Sequence, residues 1–199
     1  AAGRADAWTR ARQGLFRTAF FLAAIALTAL LTVLTARQIT VWKDGVTLWT
    51  RVIERFPKDI PRMTYGNRGV ALLRQGRNAE AAADFTRVIA FDPVNYEAMF
   101  RRGMASVRMG RLDEALADFE RVEALDPRYA PLYKERGKVY DLLGRPGDAA
   151  ADFDRAVALD AGDAEALLFR GVAAGKAGRS EEAVAYFDRA LARDPQYAE

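Results

Sequence analysis

The 199-residue sequence contains neither cysteine nor histidine. Without cysteine there is no disulfide and no thiolate nucleophile. Without both residues there is no zinc site of the Cys/His type and no Cys–His or Ser–His–Asp machinery. Any acid–base chemistry would fall to carboxylates alone. The basic stripe that nucleic-acid binders carry is also missing from the long C-terminal part. Residues 62–199 hold twenty-one Lys+Arg against twenty-three Asp+Glu, with the signs interspersed. The net charge of +3 comes from residues 1–61, which hold nine basic against four acidic side chains. What remains is an ordinary globular composition, 51% hydrophobic and 29% charged, with ample length to bury a core.

One stretch lacks charge altogether. Between Arg17 and Arg37 lie nineteen uncharged residues, TAFFLAAIALTALLTVLTA. As a helix rising ~1.5 Å per residue the run reaches roughly 28 Å, close to the ~30 Å hydrocarbon core of a bilayer. A signal peptide would have a shorter apolar core and a small-x-small cleavage site, and LTA before Arg37 is a poor one. The expectation is a basic flank over 1–17 and a transmembrane helix over 18–36. Phe20, Leu22, Ile25, Leu27, Leu30, Leu31, Val33 and Leu34 form its apolar body, facing membrane lipid and open to neighbouring transmembrane helices. Thr18, Thr28, Thr32 and Thr35 either bond such a neighbour or bond back to their own helix. Charge does not orient the span. Arg4, Arg10, Arg12 and Arg17 precede it and Arg37, Lys43, Arg51 and Arg55 follow it, a tie under the positive-inside rule.

From residue 62 onward the sequence repeats itself every thirty-four residues. Phe85, Phe119, Phe153 and Phe187 form one column; Gly69, Gly103, Gly137 and Gly171 a second. Gly76, Gly110, Gly144 and Gly178 form a third, and Ala81, Ala115, Ala149 and Ala183 a fourth. Each repeat reads as two helices. The first ends at a glycine suited to the left-handed position. The second opens near Asn78, Asp113 or Ser180 as cap and closes at FDP, LDP, LDA or RDP. This period, with small, small, aromatic and proline at these places, resembles the tetratricopeptide repeat (TPR). The expected fold is all-α: the transmembrane helix, a junction and divergent half repeat over 37–61, then a right-handed α-solenoid. Its four full repeats occupy 62–95, 96–129, 130–163 and 164–197. The small residues let paired helices approach, and a bulky replacement would overpack at ~1–3 kcal/mol. The phenylalanine fills the space between hairpins, and truncating it should cost ~3–5 kcal/mol.

Charged columns accompany the apolar ones. Arginine recurs at Arg68, Arg102, Arg136 and Arg170 and at Arg87, Arg121, Arg155 and Arg189. Aspartate recurs at Asp92, Asp126, Asp160 and Asp194 and, in three repeats, at Asp84, Asp118 and Asp152. Because they follow the repeat and not one locus, the expectation is structural ion pairing between adjacent hairpins, not a ligand ladder. Two motifs imitate chemistry. Asp152-Phe153-Asp154 matches a metal–nucleotide D-x-D, but its phenylalanine is the repeat's core residue. GVAAGKAGRS suggests a phosphate loop, but its spacing is short, Lys176 precedes alanine and the segment follows a helix pattern. No catalytic residue, metal site or cofactor is expected, and the chain is not expected to be an enzyme.

The tetratricopeptide resemblance implies a concave groove lined by the first helices, at positions two, five, nine, twelve and thirteen of each repeat. These are Met63, Gly66, Val70, Leu73 and Arg74, then Glu97, Phe100, Met104, Val107 and Arg108. Pro131, Lys134, Lys138, Asp141 and Leu142 follow, then Glu165, Leu168, Val172, Gly175 and Lys176. The candidate partner site is Arg74, Phe100, Met104, Val107, Arg108, Lys134, Lys138, Asp141, Leu168, Val172 and Lys176. It is apolar at both ends with a Lys134/Lys138 centre, suited to a peptide with apolar anchors and an acidic group. Relatives that clamp chaperone C-termini use a Lys/Asn/Arg set. Gly66 and Val70 occupy two of those places, so that clamp is not supported.

Set in the same register, Pro57 takes the terminal-proline place and Trp49 the phenylalanine column. DGVTLWTRVIERFP then reads as the second helix of a half repeat, capped by Asp44, with Leu48, Trp49, Val52, Ile53 and Phe56 as its stripe. Its missing partner would be the end of the span, coupling span and solenoid rigidly. The pattern Trp42, Asp44, Leu48/Trp49, Pro57, Asn67/Gly69 is similar to the transmembrane-and-TPR O-mannosyltransferase family and its bacterial relatives. That resemblance implies a bacterial inner membrane and repeats outside the cytoplasm, and none of that family's catalytic residues are present. The absent initiator methionine, and QYAE stopping where a fifth repeat would start, read as a fragment. The leading function is a membrane-anchored module for protein–protein interaction or scaffolding. The alternatives are the substrate-presenting end of a polytopic glycosyltransferase and an accessory subunit of a large membrane complex. No nucleic-acid partner is expected.

Overall fold

The computed structural model describes residues 27, 28, 30, 31, 44–56 and 62–198. Among these residues all regular structure is helical, and the chain divides into two units, Ala1–Arg51 and Val52–Glu199. In the first, Leu27, Thr28, Leu30 and Leu31 are helical and exposed. The rest of the expected span, including Phe20, Leu22, Ile25, Val33 and Leu34, lies outside the described residues, as does the junction over 37–43. Among the described residues no helix is long and apolar enough to cross a membrane.

Helix α1 (Gly45–Arg55) starts where its sequence says it should. The Asp44 carboxylate accepts from the Val46 N–H at 3.1 Å and the Thr47 N–H at 3.3 Å. That satisfies two of the amides a helix start leaves without partners. Val46 is buried and Leu48, Trp49, Val52 and Ile53 are half-buried, whereas Phe56, at the end of the expected stripe, is exposed.

The second unit is built of helix pairs. Helices α2 (Arg62–Arg74) and α3 (Asn78–Phe91) pack together, as do α4 (Tyr96–Arg108) and α5 (Leu112–Leu125). So do α6 (Ala130–Leu142) and α7 (Pro146–Leu159), and α8 (Ala164–Lys176) and α9 (Ser180–Arg193). Successive pairs stack through α3 on α4, α5 on α6 and α7 on α8. The turn inside each pair is the same object. Gly76, Gly110, Gly144 and Gly178 have φ between 68° and 75°. In the first pair Gly76 N–H donates to the Leu73 carbonyl and Arg77 N–H to that of Leu72. These are the two bonds of a Schellman end.

The start of each second helix departs from expectation. Asn78, Asp113 and Ser180 do not cap. The cap residues are Arg77, Arg111, Arg145 and Arg179, and none makes a side-chain cap bond. The chain enters the helix directly from the glycine turn, so no oxygen-bearing side chain sits at the cap. Each arginine instead meets a carboxylate three residues on, as in Arg77–Glu80 and Arg145–Asp148, both at 2.7 Å. That acid in the first turn suits the positive helix end.

The core repeats with the sequence. Ala81, Ala115, Ala149 and Ala183 are buried, as are Phe85, Phe119 and Phe153. The glycine two turns into each first helix lies against that phenylalanine. A Cβ on Gly103 would come within 2.6 Å of the Phe119 ring, and one on Gly69 within 2.9 Å of Phe85. The arginine columns make structural ion pairs both ways. Arg68, Arg102 and Arg136 meet aspartates within their own pair, and Arg136, Arg155 and Arg170 reach carboxylates of the preceding pair, as expected between adjacent hairpins. Arg68–Asp84, Arg102–Asp118 and Arg136–Asp152 are two-pronged contacts of 2.6–2.9 Å, with every aspartate buried. In the fourth pair Tyr186 replaces the aspartate. Arg170 turns back to Asp154 of the preceding pair at 2.5 Å and to Glu182 at 2.6 Å. The later aspartates are turn residues: Asp126, Asp160 and Asp194 each accept the amide two residues on.

Candidate partner-binding groove

The first helices of successive pairs are neighbours: α2 touches α4, and α4 touches α6. Side chains at the thirteenth repeat position tie them. Arg108 Nη1 donates to the Leu73 carbonyl at 2.9 Å, and Lys176 Nζ lies 2.6 Å from Asp141. Arg74, at the same position, is exposed and has no ion-pair partner among the described residues. The candidate cations Arg108 and Lys176 thus link neighbouring first helices.

The Lys134/Lys138 centre is occupied by its own counter-ions. Lys134 Nζ is 2.7 Å from Asp163 and 2.9 Å from Glu165. Lys138 Nζ is 2.6 Å from Glu165 and 3.0 Å from Glu135, and lies over the Phe169 ring. Burial works against the Lys134 charge, but its hydrogen bonds to Asp163 and Glu165 outweigh it and leave its pKa raised. Burial likewise opposes the charges on Asp163 and Glu165, and the lysines still hold both below the ordinary carboxylate range. Two ammonium groups thus face three carboxylates, and the centre offers a ligand no surplus positive charge.

The apolar candidates fall into two groups. Met104, Val107 and Leu168 are half-buried, and Val172 is exposed. Phe100 does not stand in open space. It is 7% exposed, with its ring 5.8 Å from Phe119 and 5.1 Å, edge-on, from Tyr129. It fills the gap between α4, α5 and α6.

The corresponding gap in the first pair is open. There Gly66 stands where Phe100 stands in the second, and Asn95 where Tyr129 does. A cavity of about 360 Å³ results, bounded by α2, α3 and α4, with Val70, Phe85, Val88 and Phe91 among its walls. Gly66 belonged to the predicted groove positions but not to the candidate site. The signal was a glycine in a column otherwise holding phenylalanine, lysine and leucine. Among the described residues no group of acidic side chains is placed to hold a metal ion.

Two stretches, 67–130 and 135–198, match the tetratricopeptide repeat family profile and together cover more than half of the chain. The chain belongs to the tetratricopeptide repeat family. Solved structures agree on the fold. The tetratricopeptide chain is 23% identical to MamA, covering 82% of this chain and 95% of that one, with a TM-score of 0.69. It is 25% identical to TTC0263, a thermophilic TPR protein of Thermus thermophilus, covering 81% and 88% with a TM-score of 0.64. The first TPR of Spaghetti (RPAP3), bound to the HSP90 peptide SRMEEVD, is 23% identical, covering 59% and 93% with a TM-score of 0.57. Comparison with the curated proteins finds no match. The described part of this chain is a tetratricopeptide array, a repeat architecture whose stacked helices suit contact with other proteins.

Proposed function

We propose that the chain is a membrane-anchored tetratricopeptide module that holds a protein or peptide partner along its first helices. The observation that carries the partner reading is the open cavity between α2, α3 and α4, on a fold that relatives use for contact and not for chemistry. The SRMEEVD complex of the RPAP3 domain is an instance of such a fold taking a peptide. The repeats are proposed to occupy 62–95, 96–129, 130–163 and 164–197. The anchor is the uncharged run over 18–36, whose length suits a bilayer. A bacterial inner membrane with repeats outside the cytoplasm follows from the O-mannosyltransferase-like resemblance. A second reading, the substrate-presenting end of a polytopic glycosyltransferase, is favoured by Asp44, whose capping of α1 gives that family's W-x-D pattern a structural part.

The test is two-armed. The full chain, expressed in a bacterium, should stay with the membrane pellet after alkaline carbonate extraction; release would remove the anchor. The detergent-solubilised chain, panned against a random dodecapeptide display library, should enrich peptides that bind saturably. No enrichment would remove the peptide-binding reading.

A further inference from the structure

The three inner layers of the repeat array share one pair of positions, one on a first helix and one just before the next. In the second layer the pair is Phe100 and Tyr129, packed ring against ring at 5.1 Å. In the third it is Lys134 and Asp163, joined by an ion pair of 2.7 Å. In the first it is Gly66 and Asn95, which cannot fill the space between them. Asn95 Oδ1 is already engaged by the Ala98 amide at 2.9 Å. A Cβ added to Gly66 would meet only Val88, at 3.9 Å. The site is thus a socket from which the layer's own side chain is missing.

The walls say what fits. Val70, Phe85, Val88 and Phe91 are apolar, and Asn95 offers no buried counter-charge of the kind that holds Lys134. An aromatic ring therefore suits the socket, as Phe100 suits its counterpart, whereas an ammonium group would lose its hydration with nothing to replace it. The rim is acidic. Glu97 is paired with Arg101 at 2.6 Å, but the Asp92 carboxylate has no cationic partner among the described residues and accepts from the Asn95 side-chain Nδ2 at 3.3 Å. A positive charge beside the ring would complement it.

We infer that the Gly66 socket receives a phenylalanine or tyrosine side chain, flanked by lysine or arginine, from a peptide lying across α2 and α4. This rests on the peptide-binding reading and specifies its anchor. The probe is a peptide enriched from the dodecapeptide library, synthesised with a fluorophore and titrated into the solubilised full chain. The partners are Gly66→Phe, which supplies the missing ring from within, and Gly66→Leu, which copies Leu168 of the fourth repeat. Both should unfold no earlier than wild type, because glycine is the poorer helix former. Enriched peptides should carry an aromatic next to a basic residue, and both variants should weaken them ~tenfold or more. Peptides that bind wild type and the two variants alike would overturn the socket while leaving groove binding intact. Enriched peptides without an aromatic residue would overturn it too. Failure to enrich any peptide would remove the underlying reading and the socket together.

Discussion

At the residue scale, two glycines in first helices have opposite consequences. Gly103 faces the Phe119 ring so closely that an added methyl would lie 2.6 Å from it. Phe119 is fully buried and cannot swing away. Gly103→Ala is therefore expected to lose ~1–3 kcal/mol in urea denaturation, overpacking outweighing better helix propensity. Gly66→Ala meets open space and is expected to gain up to about 1 kcal/mol. The bidentate pairs give a second contrast. Asp118→Ala leaves Arg102 without its partner and should cost ~3–5 kcal/mol, whereas Arg102→Met with Asp118→Leu should recover most of the loss. A double-mutant cycle by thermal unfolding checks both.

At the element scale, the α5–α6 junction is held by one carboxylate. Glu123, on α5, accepts from Arg136 at 2.6 Å and from Arg155 at 2.7 Å, and the Tyr133 hydroxyl lies at 3.3 Å. The Arg136 hydrogen bond in particular holds the Glu123 pKa below its ordinary value. Burial opposes the Arg136 charge, but Asp152 and Glu123 together raise its pKa beyond the ordinary arginine value. Because the folded pKa of Glu123 lies below the unfolded one, its stabilisation is complete above the unfolded value of about 4.3 and fades as pH falls through the folded value. Glu123→Gln should therefore lower the melting temperature at neutral pH and flatten its fall on acidification below about pH 4.3. Equal melting curves for the two proteins at pH 7 would contradict this account of the junction. The sequence made the helix pairs legible, because Gly76, Ala81 and Phe85 and their repeats each report a local steric requirement. The break at Tyr186 was legible too, since only three repeats hold the aspartate. The arginine at each cap was not, because the glycine turn decides where the second helix begins. Nor was the pairing of Lys134 and Lys138, which joins residues twenty-seven and twenty-nine apart only once the pairs are stacked.

At the scale of the array, identity of repeats builds the core and difference between repeats makes the surface. The invariant column Ala81, Ala115, Ala149 and Ala183 is buried in every pair, and the column that reads Gly66, Phe100, Lys134, Leu168 gives each layer its own inner wall. The expected site placed recognition at the Lys134/Lys138 centre. The geometry instead turns that centre inward on Asp163 and Glu165 and leaves the first layer open. Gly66 was visible as the odd residue of its column, but its consequence required knowing that Phe100 points inward. The most direct measurement replaces the aromatic residue of an enriched peptide by benzoylphenylalanine and maps its photocrosslinks on the full chain by mass spectrometry. Crosslinks on Val70, Val88 and their neighbours in α2, α3 and α4 are the expected result. Crosslinks confined to the exposed alanines of the second helices, such as Ala79 and Ala151, would contradict it.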